Sequence, residues 1–139
     1  MGYAVYEELI ARLGENKYTS IYRTDHGKAE SDLAESSAEI DGYLSKRYVV
    51  PVTAAQAMIL LRAWTLDLAE EKSYKRAGGS DIPEKVKNAA NVVRSNLRDI
   101  AKGTMSLPAA AAENPGSAGG SVLVVGNEPE FTREKMSGY

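Results

Sequence analysis

The sequence predicts an all-α protein: a bundle of about four helices, then an extended C-terminal arm that holds a short β-prone segment. Three observations predict it. Four stretches carry apolar residues at alternating three- and four-residue steps, the spacing of one helical face. Glycine or proline bounds each stretch where a helix would start or stop. After Leu107 the chain turns to alanine, glycine and proline, and the period is lost. These changes divide the chain into a helical domain over 1–107, a linker over 108–120 and a docking arm over 121–139.

The first helix spans about Ala4 to Leu13, with Tyr6, Leu9, Ile10 and Leu13 on one face and Gly14 as its stop. Residues 15–27 contain Asn16, Thr19, Thr24, Asp25 and Gly27 and read as a loop, with Ile21 and Tyr22 positioned to pin it to the core. The second helix runs from about Ala29 to Tyr48. Leu33, Ser37, Ile40, Leu44 and Arg47/Tyr48 step along one face. Ala34, Ser36, Ser37, Ala38 and Gly42 beside it are small enough for another helix to come close, and Pro51 forbids continuation.

The third helix opens with a capping-box pattern, Thr53 and Gln56. Its broad apolar face of Ala54, Ala57, Met58, Leu61, Trp64, Thr65 and Leu68 marks it as the most buried helix, ending near Arg76 before Gly78-Gly79. The fourth opens at Asp81-Ile82-Pro83-Glu84, residues that suit a helix start. Val86, Ala90, Val93, Leu97 and Ile100 form its stripe, and Lys102-Gly103 closes it. The bundle core should therefore include Leu9, Leu33, Ile40, Leu44, Leu61, Trp64, Val93, Leu97 and Ile100.

In the arm, Val122, Leu123, Val124 and Val125 are too apolar to stand alone in water and alternate poorly, which suits a strand covered on both faces. Phe131 would anchor the arm, with Arg133 beside it for a partner's carboxylate.

The 139 residues allow one domain with a modest core, and 43% hydrophobic with 26% charged residues is ordinary for a globular protein. A net charge of −2 gives no strong global pull toward nucleic acid or acidic lipid. Residues 1–50 carry six Lys/Arg against nine Asp/Glu, whereas residues 51–107 carry nine against six. An acidic front and a basic middle permit head-to-tail attraction between copies; three solvated surfaces explain the same numbers. The absence of cysteine rules out disulfides and thiolate chemistry and fits assembly in a reducing cytoplasm. Met1 to Glu8 lacks the basic and apolar regions of a signal peptide. The weakly polar stretch Val49–Leu61 falls short of the ~20 residues that cross a bilayer, so no membrane partner is expected.

No enzymatic constellation emerges. The single histidine, His26, reads as a polar turn residue, and no G-x-S-x-G elbow surrounds a serine. Gly116-Ser117-Ala118-Gly119-Gly120 lacks the Gly-Lys-Ser/Thr of a phosphate loop. No catalytic residue, cofactor or metal is expected. Two constellations remain. Arg94, Arg98 and Lys102, with Lys87 nearby, recur at i, i+4, i+8 on the fourth helix. They could line a channel for DNA, meet an acidic neighbour or form a solvated face. Tyr43, Tyr48, Trp64 and Tyr74 suit an interface, though Trp64 sits mid-stripe and reads as core, and Tyr43 and Tyr48 fit core and interface equally.

Several fragments together resemble the small helical head–tail connector (neck adaptor) proteins of Mu-like tailed phages. They are Tyr3-Ala4, then Glu8-Leu9-Ile10-Ala11-Arg12-Leu13-Gly14, then Leu33-Ala34 and Ala38-Glu39-Ile40-Asp41-Gly42-Tyr43-Leu44, with Arg47-Tyr48 and Pro51. Leu97-Arg98-Asp99-Ile100-Ala101-Lys102-Gly103 and Leu107 follow, and Phe131-Thr132-Arg133 is similar to the family's short Phe-x-Arg tail. The resemblance implies a virion neck protein, assembled in the host cytoplasm into a ring of its own copies, dodecameric by that likeness. It also implies a portal protein above, a tail-proximal neck or tail terminator protein below, and transient contact with genomic DNA in the lumen. Arg94, Arg98, Lys102, Tyr43 and Tyr48 would then face a subunit interface or the lumen. Val122 to Val125, Phe131 and Arg133 would dock on the portal or a neighbour. A small helical DNA-binding or regulatory protein, or a chaperone-like partner, are readings of a different class.

Overall fold

In the computed structural model, residues 2–78 and 81–108 are described, and five helices span them. They are α1 (Tyr6–Leu13), α2 (Glu15–Tyr22), α3 (His26–Leu44), α4 (Ala55–Arg76) and α5 (Glu84–Lys102). The all-α class holds for these residues. The linker from residue 109 on, the β-prone segment, and Val122, Leu123, Val124, Val125, Phe131 and Arg133 lie outside the described residues.

The segment read as a loop is a helix. Tyr18 and Tyr22, four apart, are both buried and lie on one face of α2. Gly14, at φ 90°, closes α1 and opens α2 in a single residue, a backbone angle that favours glycine. The polar residues Asn16, Thr19 and Ser20 occupy the exposed side, which disguised the helix as a turn-rich stretch. Asp25 caps α3, its carboxylate accepting from the Lys28 amide at 3.3 Å, so that helix begins three residues before Ala29. It also ends earlier, at Leu44, and Ser45 to Tyr48 continue as hydrogen-bonded turns. The capping box at Thr53 and Gln56 does not form: α4 starts after Ala54 without a side-chain cap.

The bundle is built on α3, α4 and α5, which run up, down and up. Arg47, just after α3, donates to the Ile100 and Met105 carbonyls, so the C-terminal ends of α3 and α5 lie together. Two cores stack along the α3–α4 pair. The first gathers Ile40, Leu44, Tyr48, Val52, Leu61, Trp64, Leu68, Val93, Leu97, Ile100 and Leu107. The second gathers Leu9, Tyr18, Tyr22, Ala29, Leu33, Leu66 and Ala69 under α1 and α2. Every residue expected in the core is buried, and α3 and α4 both contribute to the two cores.

Ser37, one of the small residues of α3, receives an extended segment. Residues 2–4 form it: the Tyr3 amide donates to Ser37 Oγ at 3.0 Å, and a Cβ on Gly2 would come within 2.7 Å of that oxygen. The Tyr3 hydroxyl donates to Asp41 and accepts from the Val52 amide, tying this strap to the turn before α4. That turn contains the cis Val50–Pro51 bond.

Candidate assembly surface

Charged side chains between helices fix which surfaces remain free. Arg76 presents Nε and Nη2 to the two carboxylate oxygens of Asp32 at 3.0 and 2.8 Å, and the Tyr22 hydroxyl donates to the same carboxylate at 2.6 Å. The hydrogen bond to Asp32 holds the Arg76 guanidinium well above its ordinary value, against the opposing effect of burial. Burial first, and the Asp32 hydrogen bond second, push the Tyr22 phenol up. This triad joins α2, α3 and α4. On the other side, Arg94 of α5 pairs with Glu39 of α3 and Glu71 of α4, at 2.8 and 2.9 Å. Glu71 is buried, and its Oε1 takes this ion-pair contact without a well-aligned hydrogen bond. Arg12 fastens α1 to α4 through Asp67 at 2.6 Å and Glu70 at 3.4 Å.

The acidic front and basic middle are thus partly matched within one chain. Arg94, the first member of the expected basic row, is consumed by its own carboxylates. Arg98 and Lys102 are exposed and make no ion pair among the described residues. Tyr48 is not a surface residue: its ring is buried in the first core, and its hydroxyl accepts from the Leu107 amide at 3.0 Å. Tyr43 is half-buried against the same core. Trp64 is core, and Tyr74 lies under the Lys17 ammonium, 5.1 Å from its ring centre. His26 is more than a turn residue. It opens α3, stacks on Tyr6 at 4.3 Å between ring centres and shares a 2.8 Å hydrogen bond between Nδ1 and the Tyr18 hydroxyl.

Two surface regions remain. Beside the first half of α3, a groove of about 260 Å³ is lined by Gly2, Ala4, Val5, Glu30, Leu33 and Ala34. That is below the ~300–1,000 Å³ usual for small-molecule sites and suits the side chains of a protein. Val5 is 51% exposed at its edge. Glu7 and Glu30 are exposed and make no ion pair among the described residues. The Tyr18 phenol is raised first by burial and then by the charges of Tyr6, Glu30, Glu7 and Asp25.

After the C-terminal end of α3, Lys46 is exposed and Val49 is 48% exposed in a turn that Arg47 ties to the end of α5, the helix on which Arg98 and Lys102 are exposed. Glu7, Glu30, Lys46, Val5 and Val49 were not singled out from sequence. The available signal was Val5 and Val49, apolar residues outside any stripe and adjacent to unmatched charge. Among the described residues, no group of three or more His, Cys, Asp or Glu could hold a metal ion, and no helix is long and apolar enough to cross a membrane.

A family model described as "Bacteriophage Mu, Gp36" matches residues 3–125. The chain is also similar to "Gene product J" of Escherichia phage Mu, 35% identical over 66 residues that make up 42% of this chain and 47% of that protein. It spans about half the length of that curated relative.

Proposed function

We propose, from the premise that this chain belongs to the bacteriophage Mu Gp36 family, that it is a structural protein of the phage neck. In this reading it is a head–tail connector: copies form a ring below the portal protein and join the filled capsid to the tail-proximal neck or tail terminator protein. The observation that carries the reading beyond the family is the polarised surface of the bundle. An apolar groove along α3 carries the exposed Val5 and Glu30, and the turn after α3 with the last turn of α5 carries the exposed Val49, Lys46, Arg98 and Lys102. A small bundle that presents an apolar groove with a carboxylate and, elsewhere, an exposed valine with basic side chains is suited to serial contact with copies of itself and with neighbours.

The reading assigns no catalytic residue, cofactor or metal, and places the protein in the virion. Of the basic row, Arg98 and Lys102 are left for either luminal DNA or an adjacent subunit, because Arg94 is already paired with Glu39 and Glu71. That pairing also disfavours the alternative of a DNA-binding regulator. A nonsense mutation in the gene for this chain, in an otherwise intact phage, tests the proposal. DNA-filled heads and separate tails should accumulate, and supplying the protein should join them. Joined virions at normal yield without the protein would overturn it.

A further inference from the structure

We propose that copies of this chain meet head to tail, the Lys46–Arg98–Lys102 end of one bundle seated on the Val5–Glu30 groove of the next. The inference rests on the reading that copies stand side by side in a neck, and it names the two surfaces that touch.

The groove end offers apolar lining with negative charge on its rim. Its floor is Leu33, Ala4 and Ala34, its edge is Val5, and Glu30 lines it directly. Glu7 follows Val5 by two residues at the start of α1. Lys28, two positions before Glu30 on α3, points to the far side of that helix and does not neutralise the rim. Residues 2–4, held by Ser37, Asp41 and Val52, make one wall of the groove, so it is preformed rather than opened by a partner.

The other surface offers the complementary pattern. Val49 projects from the turn after α3, and Lys46 flanks it. Arg98 and Lys102 lie one turn apart on α5, and their end of that helix is locked to this turn by the two hydrogen bonds from Arg47. Asp99 is the carboxylate next to them. Both surfaces are therefore held in place by hydrogen bonds, each joins an aliphatic side chain to charged groups, and the three cations outnumber Asp99 on one while Glu30 lines the other. Exposed charge pairs alone are weak and screened by salt, so burial of valine in the groove must accompany them. A contact between two different surfaces of one chain is heterologous; it propagates from copy to copy and closes when the rotation permits.

The test uses the full chain and two charge-reversed variants. One carries Glu7→Lys and Glu30→Lys; the other carries Lys46→Glu, Arg98→Glu and Lys102→Glu. All five positions are exposed, and retained helicity and melting behaviour verify the fold. Sedimentation velocity over a concentration series at low salt reads self-association. The wild-type chain should associate, and high salt should weaken it. Each variant alone should associate at least about tenfold more weakly, because like charges now face each other. An equimolar mixture of the two should recover association, since the reversed groove of one matches the reversed end of the other. Unfolded or merely damaged variants would not recover on mixing. A wild-type chain that stays monomeric at low salt, variants that associate as the wild type does, or a mixture that fails to recover would each overturn the contact. Failure of the neck reading registers elsewhere, as joined virions in a phage that lacks the chain.

Discussion

Replacing Arg76 with alanine should destabilise the protein more than replacing its partner Asp32, although both changes delete the same ion pair. The Asp32 side chain is 5% exposed, whereas that of Arg76 is 34% exposed. Removing Arg76 strands a carboxylate inside the protein with the Tyr22 hydroxyl as its remaining side-chain donor. Breaking a fully buried pair in this way costs about 3–5 kcal/mol. Because Arg76 already touches solvent, water can enter the space it leaves, which lowers the expectation to about 2–4 kcal/mol. Removing Asp32 lets the guanidinium swing into water and leaves mainly the buried Tyr22 hydroxyl without an acceptor, a cost of about 1–3 kcal/mol. The double variant should fall short of the sum of the singles by about 1–3 kcal/mol, the coupling of groups in one network. Urea unfolding at neutral pH measures all three, with an unchanged m-value as the sign that the unfolded state is unaltered. On heating, each kcal/mol should appear as about 4–8 °C in a domain of this size. Asp32→Ala proving as costly as Arg76→Ala, or Arg76→Ala costing less than about 0.5 kcal/mol, would refute the reasoning from burial.

Three other outcomes are expected. Leu61→Ala, at a fully buried position of α4, should cost about 2–5 kcal/mol in the same urea assay, and a near-neutral result would mean that α4 does not face the core there. Gly103→Ala should cost about 1–2 kcal/mol in thermal melting, because Gly103 closes α5 at φ 90° in open space, so the backbone angle alone sets the cost. The Tyr3 and Tyr22 phenols are raised in the folded state, chiefly by burial and then by their hydrogen bonds to Asp41 and Asp32. A raised folded value leaves their contribution intact below the ordinary phenol value of about 10 and removes it as the pH climbs further. Stability should therefore be level up to about pH 10 on account of these groups and fall above it, and Tyr22→Phe should make that fall shallower in urea titrations across the alkaline range.

The long helices were legible because their signal is redundant. In α5, five stripe residues and a terminal glycine all agree, and all five are buried. Residues 15–22 were not legible because α2 has two turns and buries itself through tyrosines, whose polar tips weaken an apolar reading. Asp25 was seen but assigned to a loop, when its distance from the next stripe made it a cap. The surface was harder to read. Spacing correctly put Arg94, Arg98 and Lys102 on one helix, yet it carries no information about Glu39 and Glu71, which reach Arg94 from two other helices. Tyr48 suited core and interface equally from sequence, because the group that decides it, the amide of Leu107, lies 59 residues away. Local pattern predicts what a helix buries; it does not predict which charges the tertiary fold will use up.

The grip on Leu107 also has a mechanical meaning. Leu107 is buried, its amide is held by Tyr48, and Arg47 clasps the last turn of α5 beside it. Tension applied to the chain beyond Pro108 enters the fold at this point. A pull along the bundle axis draws α3 and α5 lengthwise past α4, so that contacts along three helices bear the load together, in shear. A pull across the axis lifts Leu107 away first and opens the remaining contacts one after another, as a peel. The bundle is accordingly stiff in one direction and compliant in another, and the angle at which a neighbour draws on the chain sets how much force the joint withstands.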